Sequence, residues 1–67
     1  MMTIEFDREQ DGRWIAEVVE LPGVLAYGAD QPEAERNVEA LALEVIADRL
    51  KHGENVPFNP RDFFRPR

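Results

Sequence analysis

The run Met2-Thr3-Ile4-Glu5-Phe6-Asp7-Arg8, the link Glu9-Gln10-Asp11-Gly12 and the run Arg13-Trp14-Ile15-Ala16-Glu17-Val18-Val19 together decide the fold. In the first run Met2, Ile4 and Phe6 are apolar while Thr3, Glu5 and Asp7 are polar, the period-two alternation of a strand with one buried face. The second run is rich in β-branched and aromatic residues, which suit a pleated surface. Between them, Asp11-Gly12 supplies the positive-φ backbone that a tight hairpin turn needs. A three-residue loop, Gln10 to Gly12, sets Ile4 and Phe6 opposite Val18 and Ala16 on one face, with Trp14 beside them. That register also sets Glu5 opposite Glu17, a like-charge pair with a small cost. A two-residue loop removes the clash but mixes the faces, so both registers stay open.

Beyond the hairpin, Glu20-Leu21-Pro22-Gly23 ends the second strand, because Pro22 has no ladder donor and Gly23 accepts a left-handed turn. Proline then glycine at the two corners is the type II pattern. Val24-Leu25-Ala26-Tyr27-Gly28 reads as a short third strand at a sheet edge, where unpaired backbone groups can recruit another strand. Asp30 then caps a helix, Pro32 sits in its first turn, and Glu33 follows the cap by three residues. Ala34, Val38, Leu41, Ala42, Val45, Ile46 and Leu50 recur at the spacing of one helical face. Arg49, Lys51 and His52 suit the negative end of the helix dipole and Gly53 ends the helix, which is predicted over about 31 to 52.

The character changes from residue 54 onward. This segment holds Pro57, Pro60 and Pro66 with Arg61, Arg65, Arg67, Phe58, Phe63 and Phe64. Val56 and Phe58 either form a brief fourth strand or pack over the sheet. The expected fold class is α+β: a three-stranded antiparallel sheet in the order β-β-β-α, with a possible short fourth strand and the helix packed on one face. Residues 1–60 are expected to form one domain and residues 61–67 an Arg/Phe/Pro tail.

The chain has 67 residues, with 14 acidic against 8 basic side chains and a formal net charge of -6. That is one domain, and at this size only about 60% of the unfolded chain's surface is buried on folding. Small domains usually gain support from disulfides, a metal or a second chain. There is no cysteine, and a single histidine, His52, rules out a multi-histidine metal site. No cofactor or metal is expected, and association into a homodimer or homotetramer is. Binding a phosphate backbone requires clustered Lys and Arg, so the acidic body is not expected to contact nucleic acid directly. A basic protein would be attracted and steered by its field. The apolar-rich stretch Val38 to Ile46 is interrupted by Glu39 and Glu44, so no membrane span is expected. The first residues lack the basic and apolar regions of a signal peptide, and the expected compartment is the cytoplasm.

The ordered set Asp11-Gly12-x-Trp14-x-Ala16, Glu20-Leu21-Pro22-Gly23, Tyr27-Gly28, Glu33-Ala34 with Asn37, and Gly53-Glu54-x-Val56-Pro57 resembles the HicB-like antitoxin family over roughly residues 4 to 60. The resemblance implies a partial ribonuclease-H-like domain. It also implies a role in a toxin-antitoxin system: binding a small, basic, RNA-cleaving HicA-type toxin and covering its active site. Complete antitoxins of this family add a C-terminal DNA-binding module. The sequence stops at Arg67, short of one, so operator binding is not carried over.

Several residues admit a functional and a plainer reading. A fold related to ribonuclease H raises the alternative of a metal-dependent nuclease built on Asp7, Asp11, Glu17 and Glu20. Asp7 and Asp11 also flank a turn that favours aspartate, and carboxylates ordinarily occupy solvated faces. Serine is absent, and one Thr with one His gives no triad. An enzyme is therefore not expected. His52 is the only side chain with a near-neutral reference pKa, and its place in the last helical turn gives it a capping role. Trp14 is either an interface anchor or core, with core the plainer assignment. Leu25 and Tyr27, on the suspected edge strand, serve equally as ordinary strand faces or as a seam for strand addition. Glu17, Glu20, Leu25 and Tyr27 are the expected partner-binding residues, alongside the alternative of an orphan domain that only self-associates.

Overall fold

The structure, a computed structural model, describes residues 2–67; residue 1, which opens the expected domain, lies outside the described residues. Three strands, β1 (Ile4–Arg8), β2 (Trp14–Val18) and β3 (Leu25–Gly28), form an antiparallel sheet in the order β1-β2-β3, followed by α1 (Gln31–Lys51) and a single 3-10 turn, η1 (Pro60–Asp62). The α+β class read from the sequence is the class observed. Among the described residues there is no fourth strand, and Val56 and Phe58 instead pack half-buried against the core.

The hairpin adopts the three-residue loop. Glu9 N–H donates to the Arg13 carbonyl at 2.8 Å, Gly12 N–H donates back to the Glu9 carbonyl at 3.0 Å, and Gly12 takes φ 91°. The strands then pair Ile4 with Val18, Glu5 with Glu17, Phe6 with Ala16, Asp7 with Ile15 and Arg8 with Trp14. The apolar set Ile4, Phe6, Ala16 and Val18 thus shares one face, and its burial outweighs a like-charge pair worth about 0.2–1 kcal/mol.

The corner after β2 is the expected type II turn. Val24 N–H donates to the Leu21 carbonyl at 2.9 Å and Gly23 has φ 89°. This corner does more than reverse the chain, because Leu21 is the largest of the fully buried side chains. The core comprises Ala16, Val18, Leu21 and Val24 from the sheet side and Ala34, Val38, Ala42 and Ile46 from α1. Small residues where the layers meet let the helix lie close. A Cβ on Gly28 would fall into the backbone of Glu33 and Ala34.

Both ends of α1 are closed as the sequence implies. Asp30 accepts from Glu33 N–H at 2.8 Å, and the Glu33 carboxylate accepts from Ala29 N–H at 3.0 Å. At the other end Glu54 N–H donates to the Arg49 carbonyl at 2.8 Å and Gly53 N–H to that of Leu50 at 3.2 Å, with Gly53 at φ 68°, a Schellman motif. The His52 Nδ1 donates to the Asp48 carbonyl at 2.8 Å, which gives the lone histidine a helix-end role. Trp14 is half-buried against the core with the Arg8 guanidinium 5.6 Å from its ring centre. The helix lies across β2 and β3 and leaves β1 at the flank, so Ile4 and Phe6 are only half-buried. Leu50, assigned to the core face by its spacing, is 42% exposed because it lies near the end of the helix, beyond the sheet.

Candidate functional site

With α1 covering one face of the sheet, the other is open. Pairing puts Glu5, Glu17 and Leu25 in one row across it and Asp7, Ile15 and Tyr27 in the next. The face has a shallow depression of about 550 Å³ lined by Glu5, Asp7, Glu9, Ile15, Glu17 and Leu25. Its floor is apolar at Ile15 and Leu25, and carboxylates stand around it.

The Glu5–Glu17 pair is a hydrogen-bonded pair of the ladder. Val19 N–H donates to the Thr3 carbonyl at 3.0 Å and Glu9 N–H to that of Arg13, so the alternation between them places Glu5–Glu17 and Asp7–Ile15 at bonded positions. The ladder fixes the two residues opposite each other on the open face. The cation nearest this face, Arg13, is already engaged: its Nε donates to Asp11 at 2.8 Å and its guanidinium stacks 4.5 Å from the Tyr27 ring centre. Among the described residues Glu5, Asp7, Glu9 and Glu17 have no ion-pair partner.

Of the expected partner-binding residues, Glu17, Leu25 and Tyr27 come together on this face, with Leu25 38% and Tyr27 40% exposed. Glu20 stands apart at the corner, where its carboxylate accepts from Thr3 N–H at 2.8 Å and ties down the start of β1. That backbone hydrogen bond holds the Glu20 carboxyl below its ordinary value. Asp11 is lowered too, first by the Arg13 backbone N–H and then by the guanidinium, and it serves the turn. The β3 edge is partly occupied by its own domain, since Asn37 Nδ2 donates to the Tyr27 carbonyl at 2.8 Å. Among the described residues no three His, Cys, Asp or Glu side chains are grouped to hold a metal ion. No described helix is long and apolar enough to cross a membrane.

The sequence alone does not assign Glu5, Glu9 and Ile15 to a binding surface, and it offers Asp7 only as a metal-holding carboxylate of the nuclease alternative. The period-two alternation already put Glu5 and Asp7 on the face opposite the core. Only the register, which the sequence left open, joins them to Glu17 and Leu25. No protein-family model, no curated protein and no solved structure was found to match this chain.

Proposed function

We propose that this chain is a protein-binding module of the HicB-like antitoxin type, and that its open sheet face receives a small basic protein. The observation that carries the reading is a set of carboxylates that have no ion-pair partner among the described residues, standing around an apolar floor with Glu5 and Glu17 opposed. A cation entering between that pair replaces a repulsion by two attractions, and Ile15 and Leu25 supply apolar area to bury. An interface of this kind gains speed and selectivity from charge and residence time from its apolar centre. The resemblance in sequence supplies the partner's class, a basic RNA-cleaving toxin of the HicA type. It also supplies the mechanism, steric covering of the toxin's active site with no bond made or broken. The partial ribonuclease-H-like description and a cytoplasmic address belong to the same reading.

Co-expression with the product of the adjacent open reading frame tests it. A stable complex that suppresses RNA cleavage by that product, and weakens with rising salt, is the expected result. A small basic neighbour that neither binds nor loses activity would overturn the reading.

A further inference from the structure

A second surface, remote in chemistry from the acidic face, is built by the end of α1 and the segment after it. Leu43, Ile46, Ala47 and Leu50 follow one another at i, i+3, i+4 and i+7, so they form a single stripe along the helix. Ile46 is buried, while Leu43 is 65% exposed. The Schellman motif at Gly53 reverses the chain, and η1, capped by the Asn59 side chain on Arg61 N–H at 3.0 Å, returns Phe63 toward Phe58. The two rings meet edge to face at 5.2 Å and 79°. Phe63 and Phe64 remain 70% exposed, and with Met2 they wall an apolar groove of about 360 Å³ over the stripe. Through Met2 and Leu43 the groove continues into a hollow beside β1 lined by Ile4, Val18, Ala42 and Glu39. A contiguous apolar surface of this kind marks a contact.

Charge decides what fits there. Through Val56 the chain carries five basic and thirteen acidic side chains; from Pro57 it carries Arg61, Arg65 and Arg67 against Asp62 alone. Among the described residues none of these three arginines has a carboxylate within 4.0 Å. The cationic segment bordering the groove disfavours the basic partner proposed for the sheet and suits an acidic one. The body of a second copy is acidic. The molecule is also drawn out, with extents of 49 × 19 × 15 Å and a radius of gyration of 13.7 Å, against about 11 Å for a compact domain of this length.

We propose that this groove is a homodimer seam. Two copies pack their α1 stripes antiparallel about a two-fold axis near Ala47, where a small side chain allows close approach. Because the contact is isologous, apolar Leu43, Leu50, Phe63 and Phe64 of one copy meet the same set of the other. The antiparallel arrangement carries the arginines of each tail toward Glu39 and Glu35 near the start of the partner's helix. The acidic sheet faces stay free for another protein, so this seam and the proposed partner site stand or fall separately.

Sedimentation velocity on the full chain at tens of micromolar tests the seam. A dimer is expected, and Leu43→Glu or Phe64→Glu, at largely exposed positions that leave circular dichroism unchanged, should raise its dissociation constant by about tenfold or more. Arg61→Glu with Arg65→Glu should weaken it at low salt and much less at high salt. A monomer throughout would overturn the proposal. So would a dimer that survives Leu43→Glu and Phe64→Glu but dissociates with Leu25→Lys and Tyr27→Lys, since that places the seam at the β3 edge.

Discussion

Glu5 and Glu17 stand directly opposite each other on β1 and β2, both exposed, at a hydrogen-bonded position of the ladder with Leu25 completing the row. The backbone fixes the pair, and no cation of the described residues is bonded to either carboxylate. A domain this small thus keeps a like-charge pair on its open face.

The pair therefore sets stability against binding. Glu17→Lys turns a like-charge pair into an opposite-charge one and should stabilise the fold by about 0.2–1 kcal/mol, read as a higher urea midpoint. The same change should weaken binding of a basic partner. A lower midpoint would show that Glu5 and Glu17 do not repel one another in the folded state.

Gly28 is constrained by packing rather than by its backbone angles. A methyl group there meets main-chain atoms of Glu33 and Ala34, which cannot yield as a side-chain tip can. Gly28→Ala should cost about 1–3 kcal/mol, the range for overpacking, visible as a lowered thermal midpoint. An unchanged midpoint would mean that the helix moves away from the sheet at little cost.

Asp30 holds the first turn of α1 through Glu33 N–H. Asp30→Ala should cost about 1 kcal/mol and Asp30→Ser much less. Equal losses in chemical denaturation would argue against the cap.

The Glu20–Thr3 bond predicts a pH signature. Glu20 is lowered from its ordinary 4.5 by the Thr3 backbone N–H, so the folded state favours the ionised form. The resulting stabilisation is fully present above 4.5 and is lost as pH falls through the lower folded value. The stability difference between wild type and Glu20→Gln should hold steady near neutrality and shrink as pH falls below 4.5. A difference independent of pH would exclude this role for the carboxylate.

The elements were legible in the sequence because their signals are local. Alternation in Ile4–Phe6, the corner Pro22-Gly23, the Asp30 cap and the Gly53 stop each act within a few residues. The register was not legible: loop lengths of two and three both satisfy Asp11-Gly12, and the choice rests on how Phe6 and Ala16 pack, which is a tertiary matter. The candidate face was half legible for that reason, with Glu17, Leu25 and Tyr27 anticipated but not their neighbours across the strand. No local signal separates Glu20 from Glu17, because only the fold brings Thr3 N–H to the Glu20 carboxylate. Leu43 lies one step off the core stripe, and its role depends on where the Phe63-Phe64 segment returns.

We propose that the open sheet face receives a basic protein. Amide chemical-shift mapping of the labelled chain during titration with the product of the adjacent open reading frame tests it most directly. Perturbations are predicted to concentrate at Glu5, Asp7, Ile15, Glu17, Leu25 and Tyr27, and to be weakened by Glu17→Lys. Perturbations confined to Leu43, Leu50, Phe63 and Phe64, or none at saturating partner, would contradict it.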